Sequence, residues 1–113
     1  MVFRRKIHIF TDCMELSIQN NGNVVLAEFI GRLDTVGANE IAPRIEALKA
    51  EAAKTLVLDC SQMDYISSAG IRFFMTLRKA SAVKGGKIIL TGLSEYVSDI
   101  FRMVGLLDLF EVR

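Results

Sequence analysis

Apolar and polar residues alternate over Leu16-Ser17-Ile18-Gln19, the period-two signature of a strand with one buried face. Asn20-Asn21-Gly22-Asn23 follows, and Asn and Gly accept positive φ at little cost, so the run predicts a hairpin turn. Residues 24–30 read as the returning strand, and Gly31-Arg32-Leu33-Asp34 as the exit from the sheet. The period then changes. Ile41, Ile45, Leu48 and Ala52 fall at i, i+4, i+7 and i+11 within residues 36–53, one stripe of an amphipathic helix. Pro43 lies in that span, and proline inside a helix costs about 3 kcal/mol. The helix therefore starts near Ile41, or starts near Gly37 and bends at Pro43.

Residues 55–59 carry apolar side chains on both faces and predict a central strand of a sheet with parallel pairing. Asp59, Ser61 and Asp64 then supply the chemistry of a polar loop. From about Ala69 the composition turns helical and stays so to about Val83. Ile71, Phe74, Met75 and Ala82 share one face, Phe73 and Leu77 widen it, and Arg72, Thr76 and Lys79 share another. Lys84-Gly85-Gly86 ends that helix, and Lys87–Thr91 reads as a strand. Ser94 is placed to cap a helix over 95–104 with the stripe Val97, Ile100, Phe101 and Val104, and Gly105 stops it. Leu106, Leu107, Leu109 and Phe110 predict a short helix or a turn with a tail. The order β-β-α-β-α-β-α predicts an α/β fold: a small mixed β-sheet flanked by helices on one or both faces, whose βαβ crossovers are right-handed.

Composition narrows the function. The chain has 113 residues, 51% of them hydrophobic and 24% charged, which suits one folded domain. A formal net charge of +1 leaves no basic excess for nucleic-acid binding by bulk electrostatics. Arg4-Arg5-Lys6 is the one basic cluster, and a solvated arm is its plain reading. Ile7, Ile9 and Phe10 make residues 1–13 either an extra edge strand or a loosely held arm, with a homodimer built through it left open. The apolar run after Lys6 is too short for a signal peptide or a membrane span, so a cytoplasmic protein without direct membrane insertion is expected. Cys13, Cys60 and the single histidine His8 do not form a zinc pattern, and no cofactor is expected.

The candidate chemistry sits at Ser67 and Ser68, where a helix leaves its first N–H groups without partners. A serine there caps the helix, or accepts an anion. A hydrolase nucleophile is not expected, since Ile66 stands two residues before Ser68 where a nucleophile elbow has glycine. With no other catalytic constellation, the chain reads as a binding protein and not an enzyme.

Several stretches, at their spacings, resemble the STAS domain, specifically the bacterial anti-sigma factor antagonists. They are Gly31-Arg32-Leu33-Asp34, Leu58-Asp59-Cys60-Ser61 with Tyr65-Ile66-Ser67-Ser68-Ala69-Gly70-Ile71, Gly85-Gly86-Lys87, and Val104-Gly105-Leu106 with Leu109-Phe110. The resemblance runs from about Met14 to Val112 and divides the chain into residues 1–13 and a domain over 14–113. It implies a serine at the head of the second helix that is phosphorylated by an anti-sigma factor, itself a serine kinase using ATP. The unmodified domain binds that kinase and frees a sigma factor; the phosphorylated one does not, and a metal-dependent serine phosphatase resets it. The family's Asp-Ser-Ser-Gly pattern reads Ser67-Ser68-Ala69-Gly70 here, so the acceptor maps to Ser68. Ser67 replaces the acidic residue and offers a neighbouring hydroxyl as the alternative acceptor, and Ala69 replaces the second serine. The implied docking surface comprises Asp34, Ser67, Ser68, Ala69, Gly70 and Arg72. The rival reading is a non-switching STAS accessory subunit of a membrane complex that transports lipid or anions.

Overall fold

A computed structural model describes residues 14–113; the expectation for residues 1–13 lies outside the described residues. Strands β1 (Glu15–Asn21) and β2 (Val24–Leu33) pair antiparallel through the Asn21↔Val24 register, so Gly22 and Asn23 form the turn, with Gly22 at φ 68°. β2 is longer than the alternation suggests. Gly31-Arg32-Leu33 stays in the sheet, because Arg32 and Leu33 pair with Tyr65 and Ile66 of β3 (Thr55–Ile66). The expected polar loop at Asp59–Asp64 is likewise strand. Pairing steps from Glu28↔Asp59 to Ile30↔Gln62, and from Gly31↔Met63 to Arg32↔Tyr65. At each step β3 advances one residue more than β2, so β3 carries two bulges there. At the first, the Ser61 N–H donates to Asp59 Oδ1 at 2.9 Å. At the second, Gly31 takes φ 106°, a conformation glycine adopts readily.

Helix α1 (Thr35–Ala50) begins before either expected start and contains Pro43 in its interior. A proline there removes the hydrogen bond to the Asn39 carbonyl. Pro43 and Asn39 are both exposed, so water reaches that group. Helix α2 (Ser68–Lys84) ends at Gly85, φ 76°, as the glycine pair implies. Its buried stripe is Gly70, Phe74, Leu77 and Ser81, narrower than expected: Met75 is 49% exposed and Ala82 faces solvent. Strand β4 (Lys87–Thr91) leads to α3 (Glu95–Met103), capped by Ser94 Oγ accepting from the Val97 N–H at 3.1 Å. Val104 falls outside α3 and is 54% exposed, so it leaves the expected stripe. The tail forms a 3-10 turn, Leu107–Leu109, and then a strand the pattern did not show. That strand, β5 (Glu111–Val112), pairs with Ile89 and Leu90.

The sheet order is β1-β2-β3-β4-β5, with every pair after the first parallel. Each crossover moves one place in the same direction, so right-handed connections put every helix on one face. The core agrees. Cross-strand rows Val25–Leu56–Ile88 and Ala27–Leu58–Leu90 pack with Ile41, Ile45 and Leu48 of α1, Phe74 and Leu77 of α2, and Val97 and Phe101 of α3 in one cluster. Of the two expected arrangements, helices on one face is the one observed.

Candidate functional site

Because β2, β3 and β4 are parallel, the chain leaves all three at the same sheet edge, and the helix starts at Asp34, Ser67 and Ser94 gather there. Asp34 caps α1: its Oδ1 accepts from the Gly37 N–H at 2.8 Å. Its other oxygen faces Arg32 Nε at 3.6 Å. The Gly37 hydrogen bond, opposed by slight desolvation and helped by Arg32, holds the carboxyl below its ordinary range. A carboxylate with a lowered folded pKa stabilises the fold above the ordinary aspartate range, and that contribution disappears as pH falls through the lowered value. Glu51, held down chiefly by its hydrogen bond to Lys54, and Glu111, held down chiefly by Arg113, act with the same sign. The melting temperature is therefore expected to fall as pH drops below about 5. Asp34→Asn keeps a capping side chain and should give a flatter melting curve against pH; an unchanged slope would show that Asp34 does not contribute.

The two adjacent serines are not equivalent. Ser67 is the cap of α2 and is half-buried. Its hydroxyl donates to the Leu33 carbonyl at 3.0 Å and accepts from the Gly70 N–H at 3.4 Å. Its backbone N–H also donates to Leu33, at 2.8 Å, so the start of α2 is fastened to the end of β2. Ser68, the first residue of α2, is exposed, and its hydroxyl makes no hydrogen bond among the described residues. Ala69 is half-buried against the core. Gly70 is buried so tightly that a Cβ would lie 2.6 Å from Leu33 Cγ and 2.9 Å from Ile66 Cγ1. Arg72 projects into solvent one turn beyond Ser68. Asp34 and Ser67 are thus joined through Leu33, and Ser68 and Arg72 share an outer face of α2.

A family profile described as the STAS domain matches residues 15–113. The chain belongs to the STAS domain family. BtrV of Bordetella bronchiseptica, provisionally named an anti-sigma factor antagonist, is 27% identical over 99 residues, covering 88% of this chain and 85% of BtrV. The crystal structure of an anti-sigma factor antagonist from Mycobacterium paratuberculosis superposes with a TM-score of 0.78 at 19% identity, covering 89% of this chain and 86% of that one. The Bacillus cell fate determinant SpoIIAA in its phosphorylated form superposes at 0.66 with 18% identity, covering 89% and 91%. These likenesses establish the STAS fold.

The STAS site also contains a group that the sequence pattern did not reveal. The Arg32 guanidinium lies 4.2 Å from the centroid of the Tyr65 ring, and Tyr65 stacks on Tyr96 at 6.4 Å and 24°. These residues come from β2, β3 and α3, and the bulges in β3 set the register that brings them together. Tyr96 is 50% exposed, so the stack offers an aromatic surface beside the paired ends of β2 and β3. Cys60 is buried, and burial, reinforced by the Asp59 charge, pushes its thiol above the ordinary range and away from the reactive thiolate. Among the described residues no cluster of His, Cys, Asp and Glu could hold a metal ion, and no helix is long and apolar enough to cross a membrane.

Proposed function

We propose that this STAS domain is an anti-sigma factor antagonist switched by phosphorylation of Ser68. In its unmodified form it docks, through the surface around Asp34, Ser67, Ser68, Ala69 and Arg72, on an anti-sigma factor that is also a serine kinase; Gly70, expected in that surface, is buried beneath it and seats the helix instead. Docking releases the sigma factor. Phosphate on Ser68 ends docking, and a serine phosphatase restores it. The protein acts in the cytoplasm as a regulator of transcription, without catalysis of its own.

One observation supports this most directly: the Ser68 hydroxyl is exposed and has no hydrogen-bond partner among the described residues, whereas that of Ser67 is held by Leu33 and Gly70. A kinase must bring the acceptor oxygen in line with a phosphoryl group. Ser68 can be presented without disturbing the fold, while modifying Ser67 breaks the tie between α2 and β2. A phosphoserine adds about −1.5 to −2 charges at neutral pH. At the first residue of a helix that charge meets the positive end of the dipole, so the scaffold persists while the surface changes sign.

Incubation with the cognate kinase and ATP, followed by intact mass measurement, is expected to show one added phosphate. Ser68→Ala should remove it and Ser67→Ala should retain it. Phosphate that survives in Ser68→Ala, or none on the wild-type chain, would reject the switch.

A further inference from the structure

We propose that Arg72 receives the phosphate of Ser68 within the same helix, so that the modified serine is clamped by its own domain. The inference deepens the reading of Ser68 as the modified residue and rests on it. Ser68 and Arg72 stand four residues apart on the outer face of α2, and both are exposed. Side chains at that separation have Cβ atoms about 5–6 Å apart, well within the reach of an arginine.

Arg72 is also uncommitted. Arg32, Lys49, Lys54, Lys87, Arg102 and Arg113 each have a carboxylate in ion-pair range, and Arg72 has none among the described residues. The residues one turn away from it on α2 are Ser68, Ala69, Met75 and Thr76, none of them acidic. The first turn of α2 has no acidic residue either. Asp34, joined to the start of this helix through Leu33, is engaged by the Gly37 N–H and Arg32.

A cation this close to a helix N-terminus works against the dipole. A phosphate at Ser68 reverses that imbalance. The guanidinium offers a planar fork of donors that suits two phosphate oxygens at once. Phosphorylation then alters the docking face twice: it adds a dianion, and it draws Arg72 back along the helix, away from any partner group it would otherwise meet.

The test uses the full chain with phosphoserine inserted at position 68 during translation, so no kinase is needed. The Nε–H resonance of Arg72 is expected to shift and to exchange more slowly with water in the phosphorylated chain. An unmoved resonance overturns the proposal. Melting temperatures of four proteins, Ser68 or phosphoserine 68 combined with Arg72 or Arg72→Ala, form a cycle. Phosphate is expected to raise the melting temperature by about 2 °C more when Arg72 is present, with Arg72→Lys keeping part of the gain. The same phosphate effect in both backgrounds also overturns it. If the clamp appears in the inserted phosphoprotein but the kinase leaves Ser68 unmodified, the functional reading fails alone. If the kinase modifies Ser68 and Arg72 does not respond, the clamp fails alone.

Discussion

A Ser68→Asp variant is expected to bind the proposed anti-sigma partner at least about 100-fold more weakly than the wild type, because desolvating a carboxylate in an interface costs several kcal/mol. The magnitude follows from desolvation. A hydroxyl that fits a closed interface loses its water at modest cost, whereas a carboxylate in the same place loses more hydration than pairing with one neighbouring cation returns. The fold should be unaffected, since position 68 is exposed and an acidic residue in the first turn of a helix is favourable. Titration calorimetry with the purified partner, alongside Ser68→Ala and Ser68→Gln, separates charge from size. Ser68→Ala is expected to bind nearly as well as the wild type, and Ser68→Gln between the two. Binding of Ser68→Asp at wild-type strength would remove the electrostatic basis of the switch.

Phe74→Ala is expected to cost about 3–5 kcal/mol of folding free energy, among the largest losses a single truncation can cause. Phe74 is fully buried, with its ring 4.9 Å from that of Phe29 on β2 and edge-on to Phe101 of α3 at 5.4 Å. Phe101 in turn lies 6.3 Å from Phe110, which precedes β5. Truncating the central ring opens a cavity between the sheet and two helices at once, and its neighbours are held too firmly to fill it. Urea denaturation should show the loss as a lower midpoint with an unchanged slope. A cost below about 1 kcal/mol would mean that the ring chain contributes little beyond burial. The same variant bears on the proposed site, because Phe74 and Gly70, with Ser67, seat the start of α2 against the sheet.

The hairpin, the three helices and β4 are legible in the sequence because their signals are local. An alternating run, a glycine-bearing turn or an N-cap serine needs no knowledge of distant residues. The segment Asp59-Cys60-Ser61-Gln62-Met63-Asp64 reads as a loop because its buried residues no longer alternate. Cys60, Met63 and Ile66 recur every three residues, the result of extra residues in β3 that the shorter path of β2 does not match. Nothing within the segment itself reveals that offset. The aromatic stack of Arg32, Tyr65 and Tyr96 is hidden for the same reason, since its members come together only through the bulged register. β5 escapes notice because two residues are too few to establish a period. Ser67 and Ser68 can be placed at a helix start from sequence, but which hydroxyl is tied down depends on the carbonyl of Leu33, 34 positions earlier.

The sheet is laid out in the order in which the ribosome delivers it. Each new strand emerges to find its neighbour already made, and no gap has to be held open for a later segment. Long-range pairing usually slows folding through the entropy of closing large loops, and here every pairing joins strands consecutive in the chain. The growing polypeptide can therefore consolidate stepwise during synthesis. Strand β5 adds only Glu111 and Val112 at one border of the sheet, so the seat of Ser68, made where β2 and α2 meet, does not depend on it.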